Sequence, residues 1–147
     1  MFYANEKPSE GLAVLATVDP ISQGVGTVTT GWVDHSLYLA LMAVIQTGVL
    51  GASATVDAKL QQATSSGGAG AKDVTGKAIT QIVKASGDNK QAIINMKAAD
   101  LDTEGGFRYV RLSITVGTAA SLIAATLYGA LPKYQAVSHH AAMVQAV

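Results

Sequence analysis

FRYVRLSITVGTAASLIAATLY, residues 107–128, holds two strand-like runs that meet at one glycine. In the first run Val110, Leu112, Ile114 and Val116 share one parity, while Arg111, Ser113 and Thr115 share the other. A period of two with one apolar side marks a β-strand buried on one face. Gly117 and Thr118 suit a reversal of the chain, so the second run, Ser121 to Tyr128, is expected to return as the antiparallel partner of the first. Arg111 then lies on the polar side of the pair. Arg108 has core parity and is expected at the open end of its strand.

Outward from this pair the theme repeats. Gln91 to Lys97 alternates Ala92, Ile94 and Met96 with Ile93, Asn95 and Lys97. Ala54 to Gln62 sets Val56, Ala58 and Leu60 against Asp57, Lys59 and Gln61, a strand with one wet face. Leu37 to Ile45 is apolar on both parities. Its alanines favour a helix, but Gly48 and Gly51 cut it near strand length, and a buried strand is expected. Thr27 to Thr30 brings β-branched side chains suited to a pleated surface. Ile79, Ile82 and Val83 leave 77–84 open between a short helix and an irregular strand. Ala63 to Lys72 is a small-residue loop expected to be exposed and mobile.

The chain divides into an N-terminal arm over 1–26, a β domain over 27–134 and a C-terminal tail over 135–147. Pro8, Gly11, Pro20, Gly24 and Gly26 interrupt the arm and leave room for one strand over Leu12 to Val18. The tail is small and apolar without a strand period, suited to lying on a neighbour.

Composition narrows the function. Apolar residues make up 49% of the 147 residues, enough for a real core. Charged residues are 14%, ten of each sign, so no basic field is available for nucleic acid. So few charges protect a small monomer poorly against association, and a homo-oligomer or lattice component is expected. Without cysteine there are no disulfides, thiolate metal sites or thiol nucleophiles. MFYANEKPSEG lacks the basic-then-apolar form of a signal peptide, and synthesis without export is expected. Leu37 to Leu50 is shorter than the roughly 20 residues that span a bilayer, so no membrane partner is expected.

Candidate chemistry is sparse. Gly24-Val-Gly26-Thr-Val ends on Thr29 where a dinucleotide loop needs a third glycine, and Gly70 to Gly76 has the wrong spacing for a phosphate loop. Neither implies a cofactor, and none is expected. Adjacent His139 and His140 diverge on a strand and make a poor chelate. Asp100, Asp102 and Glu104 alternate as calcium ligands do but lack the distal glutamate of an EF-hand, so no metal is expected. No G-x-S-x-G elbow surrounds a serine, and no paired carboxylates mark a catalytic pocket; the expectation is a protein that is not an enzyme. With aromatics at 5%, Trp32 and the tyrosines serve packing or an interface more economically than a sugar platform. The interface candidates are Phe2, Tyr3, Trp32, Arg108, Arg111 and Tyr134.

The order of features runs from Trp32-Val-Asp34 through the long apolar strand to ATVDAKLQQ at 54–62. It continues through the Ser/Gly loop, DVTGKAIT at 73–80, FRYVR at 107–111, Thr115-Val-Gly117 and Leu127-Tyr-Gly, and ends near Lys133-Tyr134. Over residues 27–134 this resembles a family of small virion proteins of tailed bacteriophages, similar to capsid decoration, or cement, proteins. The resemblance implies an all-β, antiparallel β-sandwich, with the jelly roll among its topologies, carrying extended N- and C-terminal arms. It implies a homo-oligomer, with a trimer favoured, made in the host cytoplasm and seated on the outside of the virion capsid, where it clamps subunits of the major capsid protein. If the termini supply the docking contacts, removal of residues 1–20 is expected to weaken attachment without unfolding the domain. The competing expectation is a receptor- or glycan-binding β-sandwich of a phage tail or cell surface.

Overall fold

The alternating runs become ten strands in the computed structural model, which describes residues 4–147. They are β1 (Leu12–Gln23), β2 (Gly26–Thr29), β3 (Val33–Asp34), β4 (Tyr38–Thr47), β5 (Thr55–Ala63), β6 (Lys72–Ala78), β7 (Ile82–Val83), β8 (Gln91–Lys97), β9 (Tyr109–Gly117) and β10 (Ser121–Pro132). Among the described residues helix is confined to the single turns α1 (Pro8–Gly11) and α2 (Lys84–Gly87) and to 3-10 turns at His35–Leu37 and Ala98–Asp100. The first sheet has the order β1-β10-β4-β8 and the second β2-β9-β5-β6, with β3 added to β9 and β7 to β5. The protein is thus an all-β, antiparallel sandwich.

Setting aside the two-residue strands β3 and β7, the others pair first with last and so on inward: β1 with β10, β2 with β9, β4 with β8, β5 with β6. All these pairs are antiparallel. A ribbon of such pairs wound round one core is the jelly-roll arrangement.

This winding corrects the expected hairpin. β9 and β10 are both strands, but they do not pair: β9 lies between β2 and β5, and β10 between β1 and β4, in opposite sheets. The link between them carries the chain across the sandwich, with Thr118 in the left-handed region (φ 72°). The physical reason is the strength of both apolar faces. In opposite sheets the two faces meet across the core, and each strand gains hydrogen-bonding neighbours on both edges. Val110, Leu112 and Ile114 are wholly buried, as are Leu127 on β10, Ile45 and Ala43 on β4, and Val56 and Leu60 on β5. Each of the larger of these side chains contributes about 1.5–3 kcal/mol by leaving water.

The open segments are now placed. Residues 38–47 form β4, an inner strand of the first sheet. The stretch 77–84 divides into the end of β6, the short β7 and the start of α2. The loop 63–72 is mostly exposed but laced: Thr64 N–H donates to the Ala69 carbonyl (3.0 Å) and Gly68 N–H to the Ser65 carbonyl (3.0 Å).

Two corrections concern the termini. Leu12–Gln23, expected within an arm, form an integral strand whose Ala13, Ala16 and Val18 lie in the core at 0%, 4% and 4% exposure. Removal of residues 1–20 would therefore strip one side of β10, and the expectation that the domain survives it does not hold. The tail does not run free either. His140 N–H donates to the Val14 carbonyl (2.7 Å) and Val137 N–H to the Glu10 carbonyl (3.3 Å), so the tail is held against its own α1 and the start of β1. Among the described residues no helix is long and apolar enough to cross a membrane.

Candidate interaction surfaces

The two outer faces of the sandwich differ in chemistry. On β9 and β5, the outward side chains are those out of phase with the core: Tyr109, Arg111 and Thr115, the last two opposite Gln61 and Asp57. Polar partners close this face. Lys59 Nζ binds Asp73 at 2.8 Å, Gln81 Nε2 donates to Asp57 at 2.8 Å, and the hydroxyls of Thr27 and Thr115 lie 2.8 Å apart. Hydrogen bonds from Lys59 and Gln61 hold the Asp73 carboxyl below the ordinary carboxylate range.

Three predicted interface residues gather at one end of this face. Val33 pairs with Val110, which brings the preceding Trp32 level with Arg111. The Arg111 guanidinium lies 4.5 Å over the indole, while its Nε–H donates to Gln61 Oε1 at 2.9 Å. Arg108, exposed at the strand end as expected, is clamped by Asp34: its Nε–H donates to Oδ1 at 3.1 Å and its Nη2 reaches Oδ2. Burial pushes the Asp34 carboxyl up, but the hydrogen bonds from Arg108 and Ser36 outweigh it and hold the group below its usual range. The same pairing, chiefly through its hydrogen bond, raises the Arg108 guanidinium.

The neighbouring aromatic rings are capped in the same way, with Lys72 Nζ 4.2 Å over Phe107 and the Arg108 guanidinium 5.3 Å from Tyr109. Such contacts contribute about 0.5–1 kcal/mol at exposed sites. Gly68 makes the closest approach: with φ +86°, an added Cβ would stand 2.6 Å from Trp32 Nε1.

Tyr134 lies elsewhere, 74% exposed in the segment after β10. Phe2 and Tyr3 lie outside the described residues. The acidic loop turns to lysines: Asp102 meets Lys72 at 2.6 Å and Asp100 meets Lys77 at 3.3 Å. Among the described residues no three metal-ligating side chains converge. His35 is 3% exposed, and its Nε2 has no hydrogen-bond partner. Burial is the leading cause that lowers its pKa below the ordinary imidazole value, against the opposing pull of Asp34 and Asp100.

The outer face of the first sheet is the surface that sequence reasoning missed. The outward positions of β4 are Ala40, Met42, Val44 and Gln46, flanked in register by Ala130, Tyr128, Thr126 and Ala124 on β10. On the other side stand Lys97, Asn95, Ile93 and Gln91 of β8. Of these, only Lys97, at one corner, is charged. Ile93 is 56% exposed, and at one end Ile21 and Leu122 border a shallow cleft of about 410 Å³. The signal lay in Leu37 to Ile45: a run apolar on both parities needs cover on both faces, and the core covers only one.

No protein-family profile and no curated protein matches the sequence. A solved structure described as "Bacillus endospore appendages form a novel family of disulfide-linked pili" is similar at 19% identity and a TM-score of 0.35. The match covers 89% of this chain and 96% of that one.

Proposed function

We propose that this chain is a decoration protein of a tailed-bacteriophage head, docking on the outside of the capsid and bridging subunits of the major capsid protein, itself a homo-oligomer with a trimer favoured. The reading rests on the resemblance over residues 27–134. The observation that carries it is the nearly uncharged outer face of β10, β4 and β8, set against an opposite face closed by ion pairs. Three strands about 4.8 Å apart and roughly 20–30 Å long present about 400 Å². With rim residues such as Ile21 and Leu122 added, that is more than half of the roughly 800 Å² per partner of a standard protein interface. Burying Val44 and Ile93 against another protein would supply affinity without catalysis.

The test is co-sedimentation with expanded capsids. Val44→Glu together with Ile93→Lys is expected to lower occupancy at least tenfold, since two charges would be desolvated, while melting stays near that of the native chain. Unchanged occupancy would sink the proposal. The second reading, a glycan- or receptor-binding module, draws on the aromatic group around Trp32. Binding of the isolated protein to a sugar array, lost in Trp32→Ala and retained in the Val44 and Ile93 variant, would favour it.

A further inference from the structure

We infer that His139 is a pH-operated latch, holding the C-terminal segment 137–147 against α1 and the start of β1 while its ring is neutral and releasing it on protonation. The ring binds two backbone groups at the far end of the chain. Its Nδ1 accepts the Val14 N–H at 3.1 Å, and its Nε2 lies 3.0 Å from the Ser9 carbonyl oxygen. A backbone N–H can only donate and a carbonyl can only accept, so the ring proton is on Nε2 and Nδ1 offers its lone pair. That is one tautomer of the neutral imidazole. Two backbone bonds complete the attachment, from His140 N–H to the Val14 carbonyl at 2.7 Å and from Val137 N–H to the Glu10 carbonyl at 3.3 Å.

A second proton has only Nδ1 to go to. There it would turn the acceptor into a donor facing the Val14 N–H, which loses one hydrogen bond and sets two donors against each other. Both ring nitrogens are engaged by backbone, so no carboxylate bonded to the ring offsets the charge. The ionisable groups on the elements around it are directed elsewhere. On α1, Glu10 accepts the Lys7 N–H at 3.0 Å; on β1, Asp19 accepts from Thr17 at 2.9 Å and lines a shallow cleft with His140; on β10, Tyr128 pairs with Val14. His140 bonds within the tail, its Nδ1 accepting the Ala142 N–H at 3.4 Å. The attached tail excludes a proton that the freed tail accepts, so falling pH favours release, by up to about tenfold per unit below the ordinary imidazole value of about 6.5. Residues 140–147 are all exposed, which leaves the bonds of the imidazole and its neighbours to decide where the tail sits. Release uncovers both backbone groups of Val14 on the end strand of the first sheet, and does so in the chain alone, whatever the chain docks on.

NMR on the full chain tests this across the imidazole range, from about pH 8 to about pH 5. At the upper value the His139 ring should show the Nε2–H tautomer, with the His140 amide as rigid as the strands by heteronuclear NOE. At the lower value the amides of 137–147 should become mobile while those of β9 and β10 keep their order. His139→Gln should stay attached at both, because a carboxamide can accept from Val14 and donate to Ser9 without titrating. His140→Gln should release as the native chain does. A native tail equally ordered at both values, a native tail already mobile at the upper one, or a His139→Gln tail that releases with the native one would each overturn the latch. Should the glutamine variant be loose throughout, the native chain still decides: its tail must loosen in step with the His139 ring resonances, and loosening that follows His35 or His140 instead overturns the latch.

Discussion

Asp34 carries two tasks on one carboxylate. It clamps Arg108, and its Oδ1 accepts the Ser36 N–H at 2.9 Å, capping the 3-10 turn that holds His35. Asp34, Asp73 and Asp100 are all held below the ordinary carboxylate value of 3.8. For Asp34 burial opposes the shift and hydrogen bonds overcome it; for Asp73 the Lys59 bond leads; for Asp100 the Lys97 N–H does. A carboxyl with a depressed folded pKa contributes stability above its unfolded value and loses it as pH falls through the folded one. His35 acts in a higher window. Burial depresses its pKa from 6.5, so the unfolded chain takes up the proton first and stability falls as pH drops below that value. The urea midpoint is thus expected to decline between about pH 7 and pH 5, and His35→Leu to flatten that decline while leaving the loss below about pH 4. An unchanged slope in the variant would remove His35 from the account. None of this was legible in the sequence, where His35 is one histidine among three. Its burial depends on a turn pinned by residues more than seventy positions away, since His35 N–H donates to the Arg108 carbonyl.

Among elements, β10 shows how tightly the sheets close. At Gly129 an added Cβ would meet Tyr38 Cδ1 at 2.7 Å and Leu15 Cδ1 at 2.8 Å, in a strand flanked on both edges. Gly129→Val is expected to destabilise by about 1–3 kcal/mol through overpacking. Gly24→Ala, with nothing within 4 Å, should fall within about 0.5 kcal/mol of the native chain in the same denaturant titration. Equal effects at both positions would contradict the packing described. The strands themselves were readable, because alternation in 54–62, 91–97 and 110–116 reports on one face at a time. The pairing of β9 with β10 was misread because the Gly117–Thr118 signal marks a reversal and is silent on whether the chain returns in the same sheet or crosses to the other.

Across the whole molecule, the ribbon joins the chain's two ends. Leu12 pairs with Ala130, and Gln23 with Ser121. Removal of residues 1–20 is therefore expected to abolish cooperative thermal unfolding; a truncated chain with a sharp, native-like melt would contradict the place given to β1. The two outer faces also belong to this scale. The polar face draws Lys59, Asp73, Asp57, Gln81 and Arg111 from several strands, while the apolar face is assembled from β4, β8 and β10, and neither exists until the sheets form.

By itself the sequence determined the strand class, the core parity of each clear strand and the scarcity of charge, since side-chain alternation and composition are local properties. Only the tertiary structure decided which strand pairs with which, the recruitment of 12–23 into the sheet, the Trp32–Arg111 stack and the docking of the tail. Those depend on backbone edges, and backbone edges are chemically alike in every strand; burial of the whole set, summed over distant segments, selects among them.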